Sequence, residues 1–244
     1  MRAANLRRLA ALALGATSLW LAGCAVLPPG KPMPVATAFP AAEVSQTELA
    51  QLAARGTPGG STSLSGFRLL PEAAFAFDAR ISLARHAEKS LDVQYYLIQK
   101  DDVGLLFLKE LREAAARGVR VRLLVDDLYT AGEDEVFGTL SAFPNIEVRL
   151  FNPLPSRADS LATRLLFSLT DFGRINHRMH NKLLVADNSF AVSGGRNIAN
   201  EYFMRSTAAN FIDMDVLSSG PVARQTSEGF DRSWDSEHVR PSEQ

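Results

Sequence analysis

The sequence has one cysteine, Cys24, so no disulfide forms within a single chain, and cysteine usage says nothing about the redox compartment. It also has little net charge, because 26 lysines and arginines stand against 27 acidic residues and leave −1. Nonspecific binding to nucleic acid depends on a cationic surface, so this balance favours the absence of a nucleic-acid partner. The apolar run from Leu9 to Ala22 is too short for a spanning helix, which needs ~20 apolar residues.

The N-terminal segment has the order of a targeting signal. Three arginines within the first eight residues precede the apolar run, and the quartet LAGC ends it at Cys24. This quartet resembles the bacterial lipobox, which implies that Cys24 is lipidated and anchors the mature chain to a membrane. Ala25 after the cysteine resembles lipoproteins that are sent on to the outer membrane. We therefore expect a signal peptide over residues 1–24 and a periplasmic, membrane-anchored protein of the bacterial envelope, the alternative being a plain secretory signal.

Two further regions follow the signal. Residues 25–66 are rich in proline and glycine, which predicts a flexible tether with a short helix over 48–55. Residues 67–244 hold the remaining hydrophobic periodicity, and the chain is 46% hydrophobic, enough for one sizeable core. We expect 67–244 to form a single domain.

Helix and strand signals alternate along this domain. Apolar residues at helical spacing over 73–84 precede an apolar strand over 91–98, and the same alternation then repeats. The further elements predicted are a helix over 105–115, a strand over 119–127, a helix over 136–143 and a strand over 145–151. This order predicts an α/β fold with a mixed, largely parallel sheet flanked by helices. A site is expected where its strands end.

The run HNKLLVAD places His180, Lys182 and Asp187 at the spacing H-x-K-x4-D. If its apolar part is a strand, His180 and Lys182 share a face because side chains two apart point the same way. An imidazole attacks or donates a proton near neutrality, and an ammonium suits phosphate oxygens, so the pair predicts phosphoryl-transfer chemistry. Asp187 begins the pair Asp187-Asn188, which predicts a hairpin turn and a structural role for this aspartate.

The run SGGRN follows a few residues later. Gly194 and Gly195 let the backbone approach a ligand closely, and Asn197 offers an amide donor. We expect these residues to complete an anion-binding pocket with His180 and Lys182.

These runs together resemble the HKD motif of the phospholipase D superfamily, and the stretch from DFGRINHRMHNK to DMDVLSSGP resembles its cardiolipin synthase C branch. The resemblance covers residues 67–236. It implies that His180 forms a phosphohistidine, that Lys182 and Asn197 hold the phosphoryl oxygens, and that the chemistry needs no metal or other cofactor. Asp213 matches the acidic residue that orients the histidine, with Asp215 in reserve on the same face of a strand.

The chain carries one H-x-K where single-chain members of the superfamily carry two. One imidazole cannot both attack phosphorus and protonate the alkoxide leaving on the opposite side. We therefore expect a second HKD half, from a homodimer or from the missing C-terminal half of a longer enzyme. The predicted function is phosphatidyl transfer or phospholipase D chemistry on phospholipids. The alternatives are a truncated noncatalytic lipoprotein fragment and a dimeric HKD endonuclease.

Several other polar residues are assigned structural positions. Asp126-Asp127 is expected to cap the turn after its strand rather than to bind metal. His177 is expected beside the pocket. Arg174 and Arg178 are expected on a solvated basic face, with assistance in phosphate binding as the alternative.

Contact with substrate is one interpretation of Gln94, Tyr95 and Tyr96, but aromatic residues in a strand are more often buried, so both tyrosines are expected in the core. Two further assignments stay open at this stage. For Arg196 a phosphate-binding role and a structural role are equally favoured. The segment 154–172 fits either a core helix, slightly favoured by its periodicity, or an amphipathic helix that dips into acyl chains.

Overall fold

The computed structural model describes residues 33–168 and 172–242. Its centre is one eight-stranded sheet in the order β1-β7-β6-β5-β2-β3-β4-β8. The strands are β1 (Gly66–Leu70), β2 (Ser90–Tyr95), β3 (Arg120–Asp126), β4 (Ile146–Phe151), β5 (Lys182–Ala186), β6 (Phe190–Gly194), β7 (Asp215–Ser219) and β8 (Val239–Pro241).

Helices of four to fifteen residues lie between these strands and before β1. They are α1 (Ala41–Val44), α2 (Glu48–Arg55), α3 (Ala73–His86), α4 (Asp102–Ala116), α5 (Asp134–Ser141), α6 (Leu161–Leu166), α7 (Phe172–Ile175) and α8 (Pro221–Trp234). Short 3-10 turns cover Pro58–Gly60, Asp127–Tyr129 and Asn200–Phe203. The predicted helices and strands of the first half are all present, with bounds shifted by a few residues.

The sheet is mixed, as predicted, and belongs to the α/β class. The expectation that it is largely parallel is wrong, because only β2-β3 and β3-β4 pair in parallel and the other five pairings are antiparallel. The parallel strands are those separated by α4 and α5, since a parallel connection needs a crossover. Within the HKD-like motif, the antiparallel strands β5 and β6 are joined by a tight turn instead of a crossover.

The sheet is covered on both faces, which explains its nearly continuous apolar strands. Within β5, Leu184 contributes to the larger buried cluster with α3, α4 and α5, and Leu183 contributes to a smaller cluster with α8. This alternation follows from the period of two along a strand. Lys182 has the parity of Leu184 and therefore lies on the face of the larger cluster.

The described part of the expected tether, residues 33–66, is packed on the domain, which corrects that prediction. Leu49 of α2 lies in the larger core cluster, and Ala38 N donates to Asp231 Oδ2 at 2.8 Å. Arg149 Nη2 donates to the Pro34 carbonyl at 3.0 Å. Proline and glycine composition did not reveal these long-range contacts. Residues 1–32, with the expected signal peptide and Cys24, lie outside the described residues.

No helix within 33–168 and 172–242 combines the length and the apolar character that crossing a bilayer demands.

Candidate active site

Strand register brings the candidate residues to one edge of the sheet. Lys182, the first residue of β5, pairs with Tyr95, the last of β2, and Gly194, the last of β6, pairs with Asp215, the first of β7. Asp126 ends the neighbouring β3. The site thus lies where the three strands β2, β3 and β6 end, as expected for an α/β sheet.

His180 and Lys182 both contact the ring of Tyr96. The imidazole of His180 lies 4.9 Å from the Tyr96 ring, centroid to centroid, and Lys182 Nζ lies 5.1 Å from the same centroid. His180 precedes β5 and is exposed, whereas only 4% of Lys182 is exposed. The expected juxtaposition of an accessible imidazole and a held ammonium is therefore present in the fold.

The electrostatics of Lys182 combine burial with nearby carboxylates. Burial lowers the pKa of its ammonium, and Asp213 and Asp126 act in the opposite direction. Lys182 Nζ donates to the His180 carbonyl at 2.8 Å, so the lysine also fixes the backbone that carries the imidazole. An additional anion beside this ammonium would favour its charged form.

Tyr96 lies at the site, which corrects its expected place in the core. Tyr95 is the buried member of the pair, and Tyr96 follows the end of β2 and is partly exposed. Burial, with Tyr129 and Asp126 nearby, raises the pKa of Tyr96 to about 12, so its hydroxyl stays protonated at neutral pH. The signal for this position was its parity, because Tyr95 and Tyr96 cannot both face the same core cluster.

Asn197 is buried beside this edge with its amide orientation fixed. Its Oδ1 accepts from Leu97 N at 3.2 Å, and its Nδ2 donates to Tyr202 Oη at 2.9 Å. An amide nitrogen carries two hydrogens, so one donor remains for a ligand.

Gly194 and Gly195 are explained by packing against β7. A Cβ at Gly194 would overlap with Asp215, and one at Gly195 would overlap with the Asp213 carboxylate. This assigns the glycines a purpose different from the expected approach of backbone to a ligand. The glycines allow the segment that carries Asp213 and Asp215 to lie directly against the end of β6.

The two candidate aspartates differ in environment. Asp213 is partly exposed, accepts from Met214 N at 2.7 Å and acts on the pKa of Lys182. Asp215 is buried and pairs with Arg80 Nη1 at 3.0 Å and Arg196 Nη1 at 3.2 Å. Asp213 is thus placed at the site, and Asp215 is placed in the framework beneath it.

Arg196, left open by the sequence, belongs to that framework. Its guanidinium is buried and donates to the carbonyls of Leu70 at 2.9 Å and Pro71 at 2.6 Å as well as to Asp213 O. These bonds tie β1 and β7 to the SGGRN loop.

Asp126 holds the segment that carries His180. Its Oδ2 accepts from Met179 N at 2.7 Å and its Oδ1 from Leu128 N at 2.9 Å, which confirms the predicted turn cap. Burial raises the pKa of Asp126, and Arg178, 3.0 Å away, opposes that shift. In the described chain no group of three or more His, Cys, Asp or Glu residues could hold a metal ion.

The two arginines just before His180 make hydrogen bonds to backbone carbonyls that the sequence did not predict. Arg174 donates to the Pro153 carbonyl at 2.9 Å, and Arg178 donates to the Asn152 carbonyl at 2.8 Å. A solvated basic face is therefore wrong for both arginines. His177 is exposed, and its Nδ1 lies 2.9 Å from the Gly173 carbonyl.

Asp187 lies just beyond the opposite end of β5, about 16 Å along the strand from Lys182. It is buried, and its carboxylate accepts from three backbone N–H groups, those of Glu88, Lys89 and Ser90, at 2.8–3.0 Å. Asp187 and Asn188 have φ values of 48° and 50°, and Ser189 N bonds to Ala186 O, so the predicted hairpin turn is confirmed.

In its described part, segment 154–172 contains the short helix α6, and its last residue, Phe172, begins α7. The apolar side chains at the end of α6 are exposed by 38% at Leu165, 64% at Leu166 and 44% at Phe167. The slightly favoured prediction of an ordinary core helix is therefore wrong for these side chains.

Comparison with known proteins places this site in a family. The family described as "Cardiolipin synthase, PLD-like domain" matches residues 81–234. The chain is 46% identical over 169 residues to cardiolipin synthase C of Escherichia coli, which covers 69% of this chain and 35% of that protein. It is 29% identical over 168 residues to cardiolipin synthase A of Pseudomonas fluorescens, which covers 68% and 33%. The chain spans about a third of the length of these curated relatives.

Solved structures share the fold at low identity. A phosphatidylserine synthase of Haemophilus influenzae is similar at a TM-score of 0.55 and 19% identity, covering 78% of this chain and 43% of that chain. NucT from Helicobacter pylori is similar at a TM-score of 0.53 and 16% identity, covering 73% and 98%. With its mixed sheet, its single HKD-like motif and the family match over most of the domain, the chain belongs to the cardiolipin synthase family of PLD-like domains.

Proposed function

We propose that this chain supplies one half of a phosphatidyl transferase or phospholipase site that acts on phospholipid phosphodiesters. The observation that carries the proposal is the shared contact of His180 and Lys182 with the Tyr96 ring, which puts a nucleophile and a cation against one substrate group. The identity of 46% to cardiolipin synthase C supports a phospholipid as the substrate class.

In the first step, an imidazole nitrogen of His180 attacks phosphorus, and the bond from phosphorus to the headgroup oxygen breaks. Lys182 and the remaining N–H of Asn197 stabilise the negative charge on the nonbridging oxygens. Asp126 holds the segment that carries His180, and the carboxylate of Asp213 favours the charged form of Lys182. The product on the enzyme is a phosphohistidine that carries the phosphatidyl group.

The departing alkoxide takes a proton from an acid on the far side of phosphorus. His180 cannot supply it, because that imidazole is bonded to phosphorus at this moment. A second HKD half therefore completes the site, either from a second copy of this chain or from a further segment of a longer protein. The same second group then deprotonates the acceptor, whose oxygen attacks phosphorus and frees His180.

Water as the acceptor gives hydrolysis, and an alcohol such as a second lipid gives transfer. The proposed lipidation of Cys24 holds the domain on the periplasmic side of a membrane, where both lipids are at high local concentration.

The test uses the full-length chain with vesicles of phosphatidylglycerol and follows headgroup release and new phospholipid products. The variant His180→Ala is compared with His177→Ala, which removes an exposed imidazole three residues away. With a second HKD half present, we expect turnover by the wild type and by His177→Ala and none by His180→Ala. Equal turnover by all three would reject His180 as the nucleophile.

The oligomeric state in the same samples separates the alternatives. Activity that rises with dimer formation supports pairing of two copies. A dimer that cleaves nucleic acid and leaves phospholipid intact supports the endonuclease alternative, with a steep loss of binding in salt as its signature. A monomer that shows no turnover on either substrate, and gains none when a second HKD half is added, supports the noncatalytic alternative.

A further inference from the structure

Two groups of exposed apolar side chains stand at the edge of the sheet that carries the site. The first, the α6 patch, consists of Leu165, Leu166 and Phe167. The second, the 204–214 loop, exposes Met204 by 59%, Phe211 by 51%, Ile212 by 96% and Met214 by 45%. Apolar side chains exposed together in this way mark surfaces that meet a partner or a membrane.

The α6 patch lies on the β3 side of His180. Arg164 of α6 is buried and donates to Thr130 Oγ1 at 3.1 Å, in the turn that follows β3. Tyr129 of the same turn contacts the Tyr96 ring at 5.3 Å, and Tyr96 contacts His180. A continuous set of contacts therefore connects α6 to the imidazole.

The 204–214 loop lies on the other side of the site. Phe211 contacts the Tyr202 ring at 5.0 Å, and the Tyr202 hydroxyl accepts from Asn197. Met214 follows Asp213 directly. The site thus lies between the α6 patch and the 204–214 loop, and the loop contains Asp213, which is assigned to the chemistry.

Exposed charge is sparse in both groups. The 204–214 loop contains two charged side chains, the exposed Arg205 and the partly exposed Asp213, whose carboxylate acts on Lys182 of the site. Residues 161–168 contain only Arg164, which is buried against Asp127 and Asp134. An apolar tip with a cation at its base is the pattern of segments that enter a bilayer interface, where apolar side chains meet acyl chains and cations meet headgroups.

We infer that the α6 patch and the 204–214 loop insert into the surface of a phospholipid bilayer and set the site at the level of the headgroups. The inference rests on the proposed function, in which the scissile phosphodiester belongs to a lipid. With the α6 patch and the 204–214 loop inserted, the lipid phosphate reaches His180 while the acyl chains stay in the membrane. The lipid therefore need not be extracted into water. This contact is separate from any anchor at Cys24.

The test measures the depth of single side chains, because an N-terminal anchor alone would hold the protein on vesicles. The full-length chain carries Cys24→Ser and His180→Ala, and one cysteine is introduced as Ile212→Cys or Leu166→Cys and labelled with an environment-sensitive dye. The matched control is Leu52→Cys, which is 49% exposed on α2 and lies in a groove with Phe190 at the opposite edge of the sheet. Vesicles contain phosphatidylglycerol and lipids brominated along their acyl chains.

We expect a blue shift and at least about twofold quenching by bromine at positions 212 and 166, since inserted faces reach ~5–10 Å into the acyl boundary. The label at position 52 should show neither. Vesicle-bound protein without quenching at 212 and 166 would overturn the inference. A shift that needs no vesicles and grows with protein concentration would assign the surface to a second copy and equally overturn it.

Failure of the inference and failure of the proposed function give different results. Insertion is measured with His180→Ala and therefore does not depend on turnover. Insertion combined with a wild type that stays inactive when a second HKD half is supplied would reject the function and keep the lipid contact, whereas turnover without insertion would do the reverse.

Discussion

The hairpin of β5 and β6 has two ends that differ in how fully their polar groups are paired. At the turn end, Asp187 accepts from three backbone N–H groups, and Asn188 bonds to the Phe39 carbonyl and to Ser227. At the site end, His180 is exposed and its ring contacts Tyr96 rather than a carboxylate.

This difference separates folding from chemistry within one motif of eight residues. Paired buried polar groups stabilise a unique structure, and they have no capacity left for a substrate. A nucleophile must keep that capacity, so it contributes little to stability. We therefore expect substitutions at the turn end to lower the free energy of unfolding and substitutions at the site end to lower turnover.

The largest effect is expected for His180→Ala. Loss of the nucleophile should reduce turnover of phosphatidylglycerol vesicles about 10⁴-fold or more. The urea midpoint should stay unchanged because the side chain is exposed. A midpoint shifted as far as that of a core variant would contradict the proposed contrast between the ends.

Asp215→Asn should lower the free energy of unfolding by about 3–5 kcal/mol, because it leaves the buried guanidiniums of Arg80 and Arg196 without their carboxylate. Asp213→Asn is the matched control, since this partly exposed residue should change stability by less than about 1 kcal/mol and lower turnover instead. Urea unfolding and vesicle turnover of both variants make the comparison. The opposite pattern would make Asp215 the acid at the site.

Asp187→Asn should lower the free energy of unfolding by about 1–3 kcal/mol. The amide keeps the left-handed backbone but turns an NH₂ group toward one of the three N–H donors. Turnover per folded molecule should equal that of the wild type, as measured below the unfolding midpoint. Lost turnover at unchanged stability would place Asp187 in the chemistry.

Lys182→Met should change how stability depends on pH. Burial makes the folded-state pKa of Lys182 lower than its ordinary value of 10.5, so between these two values the unfolded chain binds more protons. The free energy of unfolding of the wild type therefore rises with pH across that interval. Below the interval, the cost of burying the charged ammonium lowers it by its full amount. The variant should lack this rise in urea midpoints measured from neutral to alkaline pH. Parallel profiles for both proteins would refute the expectation.

The smallest effect is expected for Tyr96→Phe. The tyrosine hydroxyl stays protonated because its pKa is about 12, so the site uses its ring and not a phenolate. Turnover should change by less than about tenfold, whereas Tyr96→Ala removes the contacts with His180 and Lys182 and should cost more. Equal losses in Phe and Ala variants would assign the function to the hydroxyl.

Local patterns predicted much of this fold. The α2 helix and the hairpin turn at Asp187-Asn188 follow from residues close in sequence, through helical periodicity and the left-handed preference of Asp and Asn. The strand parity that sets Lys182 and His180 on one side is equally local.

Long-range pairing was beyond such patterns. The docking of residues 33–66, the four antiparallel pairings other than the β5-β6 hairpin, and the bonds of Arg174, Arg178 and Arg196 join segments far apart in the chain. Composition identifies a proline-rich stretch or a basic residue. It does not indicate which backbone carbonyl that residue will donate a hydrogen bond to.

By itself the sequence determined which groups are available: one imidazole, one ammonium two residues away, an amide after a glycine pair, and a turn that closes the hairpin. Only the tertiary structure decided their environments. It separated Asp213 from Asp215, brought Tyr96 to the imidazole and left two apolar segments exposed around the site. The physical reason is that residue type and spacing follow local geometry, whereas burial and charge pairing depend on which distant strands and loops pack together.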